Sequence, residues 1–141
     1  MIKIAFVEDE VRNHFTFEQH TILLNAHGIE NGLTIYATGE QALEGIAANV
    51  PDIVFMNVRL PGISGLDVTR KLRSNKATKT VPIIALTAYA LPLDWQAALE
   101  AGCNDYLAKP IHFSAIEETV RRFLTKDKSS GRTRQPAGVG E

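Results

Sequence analysis

Short apolar runs alternate along this chain with longer segments in which apolar residues recur every three or four positions. An unbroken apolar run of strand length predicts a strand buried on both faces, and the longer recurrence predicts an amphipathic helix. The runs are Ile2 to Val7, Leu33 to Ala37, Ile53 to Asn57, Pro82 to Thr87 and Asp105 to Ala108. Pro82 takes the first position of its strand, where a missing N–H does least harm. The first helix is predicted over Val11 to Ala26, closed by Gly28, with Thr16 and Gln19 blurring its apolar stripe. Thr38-Gly39-Glu40-Gln41 is a capping box that opens a second helix carrying Leu43, Ile46 and Ala47. Ser64, with Asp67 three residues on, opens a third helix carrying Leu66, Val68 and Leu72, and the polar stretch from Ser74 to Thr80 reads as a loop. Pro92 suits a first helical position and Gly102 a terminator, so a fourth helix runs to Ala101. Phe113, Ile116, Val120, Phe123 and Leu124 mark the core stripe of a fifth.

Strands that alternate with helices over short connections require right-handed crossovers, and so a parallel sheet covered on both faces. The expected fold class is therefore α/β, a doubly wound (βα)5 sheet within residues 1 to 125. Residues 126 to 141 carry too few apolar side chains to fold and read as a disordered tail or linker.

Composition narrows the class. At 141 residues, 45% hydrophobic and 22% charged, the chain suits one soluble domain with an adequate core. Residues 126 to 141 hold four basic and two acidic side chains, a net of +2; the remainder holds 11 basic and 14 acidic, a net of −3. That balance argues against a nucleic-acid surface on the folded body. A single cysteine, Cys103, cannot form an internal disulfide and suits a reducing compartment. No apolar run reaches membrane-spanning length and no signal-peptide layout precedes the first strand, so a cytoplasmic protein is expected.

In alternating α/β chains, ligand chemistry gathers at the carboxyl ends of the strands. Here those ends carry Glu8 and Asp9, then Asn57, Thr87 and Lys109. An acid pair, an amide, a hydroxyl and an ammonium sharing one rim suit a cation and a phosphoryl group: carboxylates take Mg²⁺, while Thr and Lys donate to phosphate oxygens. Each residue alone has a plainer reading. An acid pair after a strand is usually a solvated turn, and a lone Tyr106 is usually a packing residue. His14, His20, His27 and His112 lack the i, i+4 spacing of a helical metal pair and read as surface or packing residues.

Five segments in order carry a family resemblance: Val7-Glu8-Asp9-Glu10, Asp52-Ile53-Val54-Phe55-Met56, Leu60-Pro61-Gly62-Ile63-Ser64-Gly65, Leu86-Thr87-Ala88, and Gly102 to Pro110. Over about residues 2 to 125 the chain resembles the CheY-like receiver domain of two-component response regulators. The resemblance implies a flavodoxin-like fold with strand order 2-1-3-4-5. It implies Mg²⁺ held by Glu8, Asp9, the residue at position 57 and the backbone carbonyl of Arg59. It also implies that Lys109 contacts the phosphoryl group ahead of a cis-proline, and that Thr87 and Tyr106 form a switch pair. The departure is at position 57, where the family carries the nucleophilic Asp and this chain has Asn57. An amide is a poor nucleophile, so ordinary phosphotransfer is expected to fail and Mg²⁺ binding to weaken. An asparagine there is what a pseudo-receiver carries, or what a made near-isosteric substitution would leave; Glu8, Asp9, Thr87, Tyr106 and Lys109 all being intact favours the second.

The function this implies is a single-domain receiver that signals by protein contact, not an enzyme. Its expected partners are a histidine kinase or histidine phosphotransfer protein and a downstream protein, with no nucleic acid or membrane. Trp95 either covers the core edge or, with Tyr106, forms part of a partner surface, since family members commonly bind through helix four, strand five and helix five. Tyr89 and Arg59, each two residues past a site residue, are expected at the pocket mouth. The alternatives are a receiver excised from a hybrid histidine kinase and a Mg²⁺-dependent phosphohydrolase of the haloacid dehalogenase type. The latter needs a strand-end aspartate that Asn57-Val58-Arg59 does not supply.

Overall fold

The structure is a computed structural model that describes residues 1–88 and 91–124. The expected tail at 126–141 and Tyr89 lie outside the described residues. Elements alternate without exception: β1 Ile2–Val7, α1 Val11–Ala26, β2 Asn31–Tyr36, α2 Gly39–Ala48, β3 Ile53–Asn57, α3 Gly65–Arg73, β4 Ile83–Thr87, α4 Pro92–Ala101, β5 Asp105–Ala108 and α5 Phe113–Leu124. The strands form one sheet in the order β2-β1-β3-β4-β5, all neighbours parallel. This is the flavodoxin-like arrangement implied above.

Pleating divides the strand residues between two cores, because successive side chains point to opposite faces. Val54 and Met56 of β3 join Ala5, Val7, Ile83 and Ala85 under α2, α3 and α4. Ile53 and Phe55 join Ile4, Phe6, Ile84 and Leu86 under α1 and α5. All five β3 residues are buried, as befits a central strand. Each large apolar side chain enclosed this way contributes about 1.5–3 kcal/mol.

Local chemistry sets the ends. Thr38 and Ser64 cap their helices by accepting from the backbone N–H of Gln41 and Asp67, both at 3.1 Å. Gly102 ends α4 in the left-handed region at φ 114°, where its lack of Cβ matters, and its N–H and that of Cys103 return to the last turn. Strand β2 begins two residues earlier than expected and ends one earlier. The Asn31 side chain donates to the Thr21 and Ile29 carbonyls at 3.0 Å and ties the strand start to α1. Strand β4 begins at Ile83, one residue after Pro82.

Candidate functional site

The parallel order brings the carboxyl ends of β1, β3, β4 and β5 to one edge of the sheet. Met56 pairs with Val7 and Ala85, so the end of β3 lies between those of β1 and β4. Behind Asn57, the Gly65 N–H donates to the Val58 carbonyl at 2.9 Å. A Cβ at position 65 would collide with the Asn57 carbonyl oxygen, so α3 can start this close to β3 only with glycine there.

Glu8 is buried at 1% exposure although it carries a carboxylate. Its partners explain how. Lys109 Nζ meets Oε1 at 2.9 Å, and the Glu10 N–H donates to Oε2 at 3.1 Å. Asn57 Nδ2 donates to Oε2 at 3.4 Å and, more tightly, to the Arg59 carbonyl at 2.8 Å. His14 Nε2 lies 2.5 Å from the Glu8 carbonyl, a contact with the site that the spacing of the histidines does not reveal. Asp9 is half-buried, and among the described residues its carboxylate makes no direct bond to Asn57 or Lys109. Thr87, 4% exposed, ends the adjacent strand, and its carbonyl accepts the Lys109 N–H at 2.7 Å. The Lys109–Pro110 peptide is cis. Glu8, Asn57, Lys109 and the Arg59 carbonyl thus form one bonded cluster with Thr87 beside it, while Asp9 stands next to it.

The oxygen donors here have the hardness Mg²⁺ requires. As arranged, however, both oxygens of Glu8 and the Arg59 carbonyl already accept hydrogens from the chain. Among the described residues no three His, Cys, Asp or Glu side chains converge on one point. The donor set therefore suits the ion, but its present bonding does not.

A cleft of about 340 Å³ adjoins this cluster, lined by Arg59, Leu60, Thr87, Asp94, Ala97 and Tyr106. Tyr106 points inward at 2% exposure and meets Trp95 edge-on, ring centroids 5.6 Å apart. Burial and the nearby Asp94 carboxylate push its hydroxyl up to about 12. The placement of Trp95 and Tyr106 on a partner surface is corrected here: Trp95 is 8% exposed and both rings belong to the core under α4. Large apolar rings with a packing partner are stabilised by leaving water. The exposed large apolar side chains of that region are Leu91 and Leu93 at the start of α4 and, less so, Leu99. Sequence reasoning also passed over α1, where Val11, Phe15 and Ile22 are 76%, 64% and 57% exposed. Their i, i+4, i+11 spacing places them within one narrow arc of the helix, a signal readable from the sequence.

An acid, a lysine and a strand-end amide thus meet at one edge of the sheet, a donor set suited to a cation and a phosphoryl group. A profile of the response regulator receiver domain matches residues 4–121, and the chain belongs to that family. It is similar to the polar-differentiation response regulator DivK of Brucella ovis, 33% identical over 121 residues that cover 86% of this chain and 94% of the relative. Among solved structures it is similar to the receiver domain of the sensor histidine kinase PA1611 from Pseudomonas aeruginosa, which has a magnesium ion in its active-site cleft. That match is 36% identical with a TM-score of 0.75, and covers 86% of this chain and 95% of the other. The chemotaxis protein CheY4 of Vibrio cholerae shares the fold at a TM-score of 0.79 and 23% identity, covering 88% and 99%. The chain is thus a receiver domain of two-component signal transduction.

Proposed function

We infer that this receiver works in a phosphorelay by protein contact alone, and that position 57 does not accept a phosphoryl group. The observation that carries the reading is the Asn57 carboxamide itself, 5% exposed at the end of β3 and hydrogen-bonded to the Arg59 carbonyl and Glu8. Phosphotransfer to a receiver forms a bond from a carboxylate oxygen to phosphorus as the donor's nitrogen or oxygen leaves. A neutral amide lacks the negative charge that drives this attack. Glu8, Asp9, Asn57 and the Arg59 carbonyl make up the cation site of this reading, with Thr87 and Lys109 as the phosphate-facing groups and Thr87 with Tyr106 as the switch. With one carboxylate fewer, the pocket holds Mg²⁺ more weakly than a receiver with an acidic acceptor.

The partner is a histidine kinase or histidine phosphotransfer protein, and the α1 stripe of Val11, Phe15 and Ile22 beside Glu8 and Asp9 supports a helical docking surface next to the pocket. A downstream protein partner reads the opposite side, near Leu91 and Leu93. Cytoplasmic placement, without nucleic acid or membrane as partner, agrees with the acidic folded body; no helix among the described residues is long and apolar enough to cross a membrane. A receiver module from a hybrid histidine kinase is the second reading, favoured by the 36% identity to the PA1611 receiver. The intact mass of the native protein separates it from a stand-alone regulator.

The central test is acetyl phosphate with Mg²⁺ followed by intact-mass measurement. A phosphoryl adduct is expected on Asn57→Asp and not on the protein as it stands. An adduct on the latter that maps to Asn57 would overturn the reading.

A further inference from the structure

Both oxygens of Glu8 are already engaged. Oε1 accepts from Lys109 Nζ at 2.9 Å; Oε2 accepts from the Glu10 N–H at 3.1 Å and from Asn57 Nδ2 at 3.4 Å. The other hydrogen of Nδ2 goes to the Arg59 carbonyl at 2.8 Å. These partners set the orientation of the carboxamide. Turned over, Oδ1 would face a carboxylate and a carbonyl, both of which can only accept. With a carboxylate at position 57, its oxygens would face Glu8 Oε2 and the Arg59 carbonyl with no hydrogen between them, a repulsion that a cation would relieve.

We propose that the Asn57 carboxamide is a built-in stand-in for that cation, cross-linking Glu8 to the Arg59 carbonyl so that the pocket is bonded without a divalent ion. Lys109 supplies the positive charge and Nδ2 supplies the bridge. The loop after β3 and the position of Lys109 are then preset, and an incoming ion must break the 2.8 Å bond to Arg59 and compete with Lys109 for Glu8. Asp9 is the one carboxylate in the cluster that keeps partial exposure, and a single carboxylate is a poor Mg²⁺ site. The inference rests on Asn57 as the acceptor-less position and goes beyond weakened affinity: the amide is an active substitute, not merely a missing charge.

The test compares the protein with Asn57→Asp and Asn57→Ala, each in EDTA and in about 10 mM Mg²⁺. Two readouts are used, the thermal midpoint and the emission of Trp95, the only tryptophan, which lies against Tyr106 beside the Arg59 cleft. The unmodified protein is expected to shift by less than about 1 °C, with unchanged emission. Asn57→Asp should melt lower in EDTA and recover by about 3 °C or more with Mg²⁺. Asn57→Ala has the same charge as the original but no amide; it should melt lower in EDTA and recover in part with Mg²⁺. The inference is overturned if the unmodified protein gains as much from Mg²⁺ as Asn57→Asp, or if Asn57→Ala matches it in EDTA or ignores the ion. Phosphoryl transfer, read by mass, tests the underlying reading separately.

Discussion

Arg73, at the end of α3, carries the heaviest hydrogen-bonding role outside the site, and its removal is the most direct test of how the sheet's far edge is held. Nε donates to the Gly102 carbonyl at 2.9 Å, and Nη2 donates to Asn104 Oδ1 at 2.7 Å. Nη1 reaches the carbonyls of Thr78, Lys79 and Val81 at 3.3, 3.1 and 2.7 Å. One guanidinium therefore pins both the loop before β4 and the loop before β5 to α3, and burial pushes its pKa down from the usual value. Bonds from a charged donor contribute about 1.5–3 kcal/mol each, and several acceptors here would be left without a partner. Because bonds from one side chain are not additive, the three shortest set the scale, and Arg73→Ala is expected to cost about 3–5 kcal/mol. For a domain of this size that lowers the melting midpoint by about 12–20 °C. Arg73→Lys keeps the charge but not the fork, and should recover less than half of the loss. Urea unfolding with an unchanged m-value is the assay. A loss below about 1 kcal/mol for Arg73→Ala would refute the reasoning, because it would mean that water replaces all five bonds.

Three further outcomes follow from the same geometry. Trp95→Ala removes a ring that is 8% exposed and packed on Tyr106, and should cost about 3–5 kcal/mol in urea unfolding, whereas a surface aromatic would cost almost nothing. Gly65→Ala drives a Cβ into the Asn57 carbonyl oxygen, so the loop after β3 must move; circular dichroism should show a lowered midpoint, and a midpoint like that of the unmodified protein would contradict the contact. Cys103 is buried and its thiol is pushed up to about 11 by that burial, so it should resist thiol reagents at pH 8 until the protein unfolds. The sign of the linkage is set by the folded thiol holding its proton longer than the unfolded one. Stability is then level below about pH 9 and falls between about pH 9 and 11, by an amount on the order of 2–3 kcal/mol.

The fold was legible where one physical signal dominated. The β3 run from Ile53 to Met56 has no polar break, and α4 has a proline to start it and a glycine in the left-handed region to stop it; the expected bounds of both elements match the structure. Legibility failed where a side chain did something its residue type does not advertise. Asn31 lies before the expected strand start at Leu33, yet it anchors the strand because α1 and the connection after it each supply a carbonyl for its amide. Trp95 left two readings open in sequence because helix four has apolar residues on more than one face; only the packing of Tyr106 under it decides that the tryptophan is inside and Leu91 and Leu93 are outside. The α1 stripe is easy to pass over for a related reason. Val11, Phe15 and Ile22 face solvent while Phe17 and Leu24 face the sheet, so apolar residues lie on both sides and the periodicity blurs.

Position 57 joins these two kinds of outcome. From sequence, an asparagine among Glu8, Asp9 and Lys109 is a subtraction: one charge fewer and no nucleophile. In three dimensions it is also an addition, because an amide brings two N–H donors where a carboxylate brings none. Which description governs depends on what lies within reach of those hydrogens, and both the Arg59 carbonyl and Glu8 Oε2 do. A charge count alone would leave the pocket looser and more hydrated than a receiver with an acidic acceptor. The bonds act the other way, since Glu8 accepts three hydrogens and is 1% exposed. With Glu8, Lys109, Asn57 and the Arg59 carbonyl bonded to one another, the cluster is under little electrostatic pressure to rearrange, and that accounts for a buried carboxylate and a lysine lying together beside an amide.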